Sequence, residues 1–79
     1  MSQQQILELI AKHTREVVPG LEDHVFAPGD SLPNLGANSV DRVEIIVMTL
    51  EVLAREIPIA KMANAQNIGE LASIIDANA

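Results

Sequence analysis

The sequence predicts an all-α fold, a small antiparallel bundle of three main helices plus a short third helix, with a long loop between helices one and two. Three observations support this. Apolar residues recur at helical spacing in three segments, residues that cap helices precede these segments, and no segment alternates like a strand. The 79 residues include no cysteine and one aromatic residue, Phe26. We therefore expect one domain over residues 1–79, with an aliphatic core and no disulfide.

The first helix has clear start and stop signals. Ser2 and Gln5 form an S-x-x-Q capping box, and Pro19-Gly20 ends the helix. The apolar residues of this helix are Ile6, Leu7, Ile10, Val17 and Val18. His13 lies in the same helix and is expected to be solvated.

Residues 21–37 form the long loop, because two prolines and two glycines disfavour both helix and strand there. A loop longer than about 12–15 residues is commonly functional or packed over a core. The apolar residues expected to fasten it are Val25, Phe26, Leu32 and Leu35.

The second helix is expected over residues 39–56. Asn38 and Asp41 cap its start, and Ile57-Pro58 stops it. Its inward stripe is predicted to be Val43, Ile46, Val47, Leu50, Leu53 and Ile57. A short helical segment follows at 59–64. The last helix opens at Asn67, and its apolar face is formed by Ile68, Leu71, Ala72, Ile74 and Ile75.

Composition narrows the function classes. Eleven acidic and five basic residues give a net charge of −6, which argues against nucleic-acid binding and favours partners with basic surfaces. No apolar stretch approaches the length of a membrane span, and the N-terminus does not read as a signal peptide. A cytoplasmic protein with no membrane partner is expected.

Motifs for intrinsic catalysis are missing. No glycine-rich phosphate loop is present, and His24, beside Glu22 and Asp23, matches no metal-ligand spacing. We therefore expect neither a catalytic residue nor a metal, with a site at His24 as a remote alternative. Ser39 is different, because free N–H groups at a helix start favour an anion. The competing interpretation makes Ser39 only the first helical residue of an unmodified interaction module.

Residues 35–46, LGANSVDRVEII, resemble the LGADSLDxVEL signature of acyl carrier proteins. The resemblance continues at EIP (56–58) and NIGEL (67–71) and covers essentially the whole chain. It implies that Ser39 accepts 4′-phosphopantetheine from coenzyme A, added by a separate phosphopantetheinyl transferase. Acyl groups would then travel as thioesters on a carrier that is not itself an enzyme. Asn38 and Val40 depart from the usual aspartate and leucine, and Asn38 is an equally good cap.

The outward face of the second helix is the predicted partner surface. Apolar residues with helical spacing, edged by charge, suggest docking through a hydrophobic seam. The predicted surface residues are Asn38, Val40, Asp41, Arg42, Glu44, Ile45, Met48, Val52 and Met62. For Ile45, Met48 and Val52, partial burial against the loop or the short helix is the alternative, and for Met48 the partner interpretation is preferred because flexible methionines suit adaptable surfaces.

The GANSVDR run resembles one subset of the family, the discrete donor carriers of polyketide β-branching cassettes. That resemblance implies a monomeric carrier that presents acetyl to a 3-hydroxy-3-methylglutaryl (HMG) synthase-like condensing enzyme. An acyltransferase would load malonyl, and a decarboxylating ketosynthase-like partner would convert it to acetyl. The alternative is a general type II fatty acid or polyketide carrier.

Overall fold

The computed structural model describes residues 2–78, and within that range all regular secondary structure is helical. Three α-helices and two 3₁₀ turns follow one another along the chain. Their bounds are α1 Gln3–Val17, a 3₁₀ turn Pro33–Leu35, α2 Ser39–Leu53, a 3₁₀ turn Ile59–Lys61, and α3 Ile68–Ala77. The all-α prediction is confirmed, and the short third helix is the 3₁₀ turn at 59–61. None of these helices is long and apolar enough to cross a bilayer.

Helix α1 begins with the expected capping box. The Ser2 hydroxyl accepts a hydrogen bond from the Gln5 N–H at 3.2 Å, and the Ser2 N–H donates to Gln5 Oε1 at 2.8 Å. The helix ends at Val17, and Val18 is already extended, as the following proline requires. Helix α1 packs against both α2 and α3, so it is the central support of the bundle.

Helix α2 ends earlier than its sequence suggests. The expected end was Glu56, before Pro58, but the helix stops at Leu53. Ala54 adopts a left-handed conformation with φ 54° and ψ 45°, and its N–H contacts the carbonyls of Leu50 and Glu51. A left-handed residue just after the last turn is a common way to close a helix.

The core is aliphatic, as expected, and draws on all three helices. Its buried members are Ile6, Leu7, Ile10, Val18, Leu32, Ala37, Ile45, Ile46, Leu50, Ile57, Met62, Ile68, Leu71, Ala72 and Ile75. Of the stripe predicted for the second helix, Ile46, Leu50 and Ile57 are buried and Leu53 packs at the edge.

The predicted inward face of α2 is wrong at two positions. Val43 and Val47 keep 42% and 37% of their surface exposed, whereas Ile45, expected to point outward, is completely buried. The reason is a polar residue inside the buried face. Thr49 is fully buried, so the face is rotated relative to the one that apolar residues alone would select.

His13 is buried against Thr49, so the expectation of a solvated histidine is wrong. His13 Nδ1 lies 2.8 Å from the Thr49 hydroxyl oxygen. That hydroxyl donates its only hydrogen to the Ile45 carbonyl at 2.8 Å and therefore accepts from Nδ1–H. Burial lowers the pKa of His13. The pair thus forms a neutral polar link between α1 and α2.

The long loop is tied to the start of α3 through its backbone. The Gly69 N–H donates to the Pro28 carbonyl and the Ile68 N–H donates to the Asp30 carbonyl, each at 2.9 Å. Gly69 lies so close to the loop that an added Cβ would be 2.8 Å from Pro28 Cβ. These two bonds satisfy first-turn donors of α3, which have no partner within the helix.

Three of the four expected apolar anchors hold the loop. Leu32 is buried and Phe26 and Leu35 are half-buried, but Val25 is 86% exposed, so its prediction as an anchor is wrong. The Arg15 guanidinium lies 4.7 Å from the centre of the Phe26 ring, a cation–π geometry.

Candidate functional site

Ser39 is the first residue of α2, and its side chain is exposed. The residues on either side complete the cap. Asn38 Oδ1 accepts from the Asp41 N–H at 2.8 Å, and Asp41 Oδ2 accepts from the Asn38 N–H at 3.2 Å. Because this reciprocal pair performs the capping, the Ser39 hydroxyl is not needed for it. Within residues 2–78 that hydroxyl makes no hydrogen bond to the protein.

The approach to Ser39 is shaped by a tight turn. Gly36 has φ 100° and follows the 3₁₀ turn Pro33–Leu35, a conformation that favours glycine. The Ala37 N–H then bonds to the Leu32 carbonyl at 3.0 Å, and the Ala37 side chain is buried. The chain therefore reaches Asn38 from a fixed direction, which places Ser39 at a rigid, open corner.

An open groove of about 640 Å³ begins at Ser39 and follows α2. Its apolar wall is formed by exposed valines, with Val40 73% exposed, and two carboxylates edge it. The groove is lined by Ser39, Val40, Val43, Glu44, Val47, Met48 and Glu51. We call Val40, Val43 and Val47 the valine face.

A smaller cleft of about 170 Å³ lies on the other side of Ser39. One wall belongs to α2 and the other to the segment around the second 3₁₀ turn. The cleft is lined by Ser39, Arg42, Val43, Ile46, Ile59 and Ala63. Ser39 is therefore bordered by apolar surface on both sides.

The predicted partner surface is partly exposed and partly buried. Asn38, Val40, Glu44 and Val52 are exposed, and Asp41, Arg42 and Met48 are half-buried. Ile45 and Met62 are completely buried, so their placement on an accessible surface is wrong. Both fill the core, where their apolar side chains pack with neighbours from the other elements.

Three exposed apolar residues near Ser39 were not predicted from the sequence. Val43 and Val47 belong to the valine face, and Ile59 is 41% exposed on the second 3₁₀ turn. A signal for the valines was available in Thr49. A threonine can satisfy its hydroxyl inside a helix by bonding to the carbonyl four residues earlier, which lets it lie on the buried side.

Arg42 has an internal role that the sequence did not predict. Its Nη2 atom lies 3.2 Å from the Met62 carbonyl oxygen, 3.0 Å from that of Ala63 and 3.3 Å from that of Ala65. The guanidinium group therefore joins the first turn of α2 to residues 62–65. Contact between Arg42 and a partner stays a prediction.

His24 has a structural partner instead of a metal-like environment. Its Nε2 atom lies 2.9 Å from Asp30 Oδ2, which also accepts from the Ala27 N–H at 2.8 Å. These two hydrogen bonds lower the pKa of Asp30, and the bond from the Ala27 N–H has the larger effect. Over residues 2–78 no three potential metal ligands converge, so the remote alternative at His24 gains no support.

The surroundings of Ser39 fit the 4′-phosphopantetheine group implied by the sequence resemblance. The hydroxyl is exposed and makes no hydrogen bond to residues 2–78, so it is available to form a phosphodiester. The N–H groups at the start of α2 favour the negative charge that a phosphodiester brings. The apolar surface on both sides can contact the uncharged remainder of the group.

Comparisons with known proteins agree with this geometry. A family model described as "phosphopantetheine attachment site" matches residues 4–75. The polyketide biosynthesis acyl-carrier-protein AcpK of Bacillus subtilis (strain 168) is 47% identical over 75 residues, which are 95% of this chain and 92% of AcpK.

A solved structure is also similar throughout. It is the crystal structure of the curacin biosynthetic pathway HMG synthase in complex with acetyl donor-ACP. One chain of that complex aligns with a TM-score of 0.92 and 51% identity, over 98% of this chain and 99% of that one. The family match, the AcpK match and this structural match all cover nearly the whole chain. The protein therefore belongs to the phosphopantetheine attachment-site family, as a carrier that bears 4′-phosphopantetheine covalently and not as an enzyme.

Proposed function

We propose that Ser39 carries the 4′-phosphopantetheine arm and that the loaded chain donates acetyl to an HMG-synthase-like enzyme in polyketide β-branching. The observation that carries the attachment is the position of the Ser39 hydroxyl. It is exposed at the capped start of α2, makes no hydrogen bond to the described residues, and opens onto the valine face.

The arm supplies a terminal thiol, which holds an acyl group as a thioester. The chain's own residues orient the attachment point. Asn38 and Asp41 hold the helix start, and neither histidine is available as a base for Ser39. His13 is buried against Thr49, and His24 is bound to Asp30. Removal of the Ser39 proton during modification is therefore assigned to the phosphopantetheinyl transferase.

The narrower role as an acetyl donor is supported by the relatives. AcpK is a carrier of polyketide biosynthesis, and the 51% identical chain comes from an HMG synthase complex with acetyl donor-ACP. The proposal includes an acyltransferase that loads malonyl, a ketosynthase-like enzyme that decarboxylates it, and a monomeric carrier in the cytoplasm. The absence of cysteine is compatible with that compartment.

The proposed docking surface for the condensing enzyme is the valine face, edged by Glu44 and Glu51. Its three valines are exposed although they lie on the same helix as a well-packed core stripe. A hydrophobic centre with a charged rim is the usual anatomy of a protein interface. With a net charge of −6 on the carrier, the complementary partner surface is apolar with a basic border.

The attachment is tested by incubating the protein with coenzyme A and a broad-specificity phosphopantetheinyl transferase. Intact mass should increase by one arm, and Ser39→Ala should abolish the increase. Ser73→Ala is the matched control, because Ser73 is an exposed serine on α3, and it should be modified like the parent. A parent protein that gains no mass, or a Ser39→Ala variant that still gains it, would refute the assignment.

The donor role is tested by loading acetyl onto the modified protein and mixing it with an HMG-synthase-like enzyme and its β-ketoacyl acceptor carrier. Condensation should be far faster with this carrier than with a carrier of fatty acid synthesis. Equal rates would instead favour a general type II acyl carrier, while leaving the attachment at Ser39 intact.

A further inference from the structure

Residues 62–65, here called the 62–65 turn, are held against α2 by one side chain. Arg42 Nη2 approaches three carbonyl oxygens of the turn, those of Met62, Ala63 and Ala65, at 3.0–3.3 Å. Within residues 2–78, these are the only side-chain hydrogen bonds between α2 and the turn. We call these contacts the Arg42 clamp. Arg42 is three residues beyond Ser39, so the clamp lies about one helical turn from the proposed attachment point.

The charge of Arg42 is directed to these carbonyls. Among the described residues, no carboxylate lies within 4.0 Å of the guanidinium nitrogens. Hydrogen bonds from a charged donor are roughly twice as strong as those between neutral groups. The turn's own backbone bonds are local, from Met62 to Ile59 and from Ala65 to Met62. Met62 and Ala65 pack with the core, and within residues 2–78 Arg42 supplies the side-chain hydrogen bonds between the turn and α2.

The 62–65 turn contributes Ala63 to one wall of the small cleft beside Ser39. Ile59, whose carbonyl accepts a hydrogen bond from the Met62 N–H, contributes the rest of that wall. Ile59 and Ala63 face Ser39 and Val43 across that cleft. The wall belongs to a stretch that has only a single 3₁₀ turn of regular structure. The distance between this stretch and α2 is therefore set by the side chains that connect the two. Among these side chains, Arg42 makes the hydrogen bonds.

We propose that Arg42 is a positioning residue for the acyl carrier function. It fixes the 62–65 turn and thereby one wall of the small cleft beside Ser39, the residue that would hold the arm. This inference rests on the proposed function. Val43 lines both the groove and the cleft, so the wall lies next to the valine face on which the partner is proposed to dock. A loosened wall would then leave a smaller fraction of carriers in the binding-competent arrangement. Such a loss raises the apparent KM and leaves kcat unchanged.

The first part of the test is amide hydrogen exchange on the unmodified protein, which does not depend on the arm. Arg42→Met should accelerate exchange of the hydrogen-bonded Met62 and Ala65 amides roughly tenfold or more, the effect of losing charged hydrogen bonds on local opening. Arg42→Lys keeps the charge and three N–H donors and should restore much of the protection. Lys12→Met removes the same charge from the exposed surface of α1 and should leave exchange unchanged.

The second part measures condensation by an HMG-synthase-like enzyme with the acetyl-loaded variants. Arg42→Met should raise the apparent KM for the carrier roughly threefold or more with kcat preserved, and Arg42→Lys should recover most of the loss. An unchanged exchange rate in Arg42→Met, faster exchange with unchanged KM, or an equal rise in KM for Lys12→Met would each overturn the proposal. A raised KM without faster exchange would assign Arg42 a direct contact with the partner.

Failure of the underlying function has a separate signature. If the parent protein takes no arm at Ser39, the proposed function falls, while the exchange experiment still reports whether Arg42 holds the 62–65 turn. If modification proceeds normally in all variants but Arg42→Met behaves like the parent in both measurements, only the positioning role falls.

Discussion

At the scale of single residues, neighbouring positions at the start of α2 have different tasks. Asn38 and Asp41 satisfy the helix cap, Ser39 keeps a free hydroxyl, and Val40 begins the valine face. This division is possible because an N-cap bonds to the residue three positions later and leaves the intervening side chains free. Capping and the proposed modification of Ser39 therefore do not compete for the same group.

Replacing Asn38 tests how much the N-cap of α2 contributes to stability. We expect Asn38→Ala to lower the free energy of unfolding by about 1 kcal/mol, because the bond to the Asp41 N–H is lost. Asn38→Asp should retain the stability, since aspartate caps equally well. Urea unfolding followed by circular dichroism measures both variants, and equal stability of Asn38→Ala and the parent would contradict the assigned role.

A second residue-scale prediction distinguishes the valine face from the seam that the sequence suggested. Val47→Asp introduces a charge into the proposed contact and should raise the condensing enzyme's apparent KM for the acetyl carrier roughly tenfold. Val52→Asp makes the same change on the same helix, at a valine that is 59% exposed but does not line the groove.

Val52→Asp should have a much smaller effect on KM than Val47→Asp. A larger rise in KM for Val52→Asp than for Val47→Asp would support docking through Met48 and Val52, as the sequence suggested, and would reject the valine face. Melting curves of both variants provide the control for folding, since exposed substitutions usually change stability by no more than about 0.5 kcal/mol.

At the scale of elements, helix starts were predictable and helix faces were not. Ser2, Asn38 and Asn67 all cap as their sequence context indicates, because a cap depends on residues within one turn. The second helix is apolar on most of its circumference, so periodicity alone could not select the buried side. The selection depends on the contact of Thr49 with His13, 36 positions away in the sequence.

The end of α2 is a second feature that the sequence did not predict correctly. Pro58 indicated that the helix must stop, but the left-handed conformation of Ala54 ends it earlier. An alanine carries no sequence signal for that conformation, which is ordinarily reserved for glycine or asparagine. For the candidate site, Ser39 was recognised from its local motif, whereas the groove and the Arg42 clamp depend on tertiary contacts.

The contact between the long loop and α3 gives a prediction for an element junction. Gly69→Ala should lower the free energy of unfolding by about 1–3 kcal/mol, the usual range for overpacking. The new Cβ would lie 2.8 Å from Pro28 Cβ and 2.9 Å from the Pro28 carbonyl oxygen. Relief requires backbone movement, which weakens the hydrogen bond between the Gly69 N–H and the Pro28 carbonyl.

Gly29→Ala is the matched control in urea unfolding. An added Cβ at Gly29 meets no atom within 4 Å, so its stability should stay within about 0.5 kcal/mol of the parent. If Gly69→Ala is as stable as Gly29→Ala, the loop does not need the close approach at Pro28.

At the scale of the whole molecule, the mainly aliphatic core contains, within residues 2–78, one side-chain hydrogen bond between α1 and α2, while the buried Thr14 bonds to the Ile10 carbonyl of its own helix. His13 and Thr49 are both buried within the core, and burial lowers the pKa of His13. The unfolded chain therefore binds a proton at this residue more readily than the folded one. The contribution of neutral His13 to the free energy of unfolding is therefore fully present above the ordinary histidine pKa. It is lost as the pH falls through the lowered pKa of the folded state.

We expect the melting temperature to decrease as the pH is lowered from about 7.5 to about 5.5, a window set by the ordinary histidine pKa near 6.5. His13→Gln removes this titration and should flatten the decrease. An NMR titration of the His13 ring measures its pKa directly, and a value at or above the ordinary one would contradict the burial argument.

The exposed valine face has a consequence for how this carrier can diverge. Its three side chains keep over a third of their surface in solvent, while Ile45, Ile46 and Leu50 on the other side of α2 hold the bundle together. We therefore expect substitutions on the face to alter which enzyme the carrier binds and to leave the fold intact. Duplicated copies of such a chain can acquire new pathway assignments one surface residue at a time, while the proposed attachment at Ser39 is preserved.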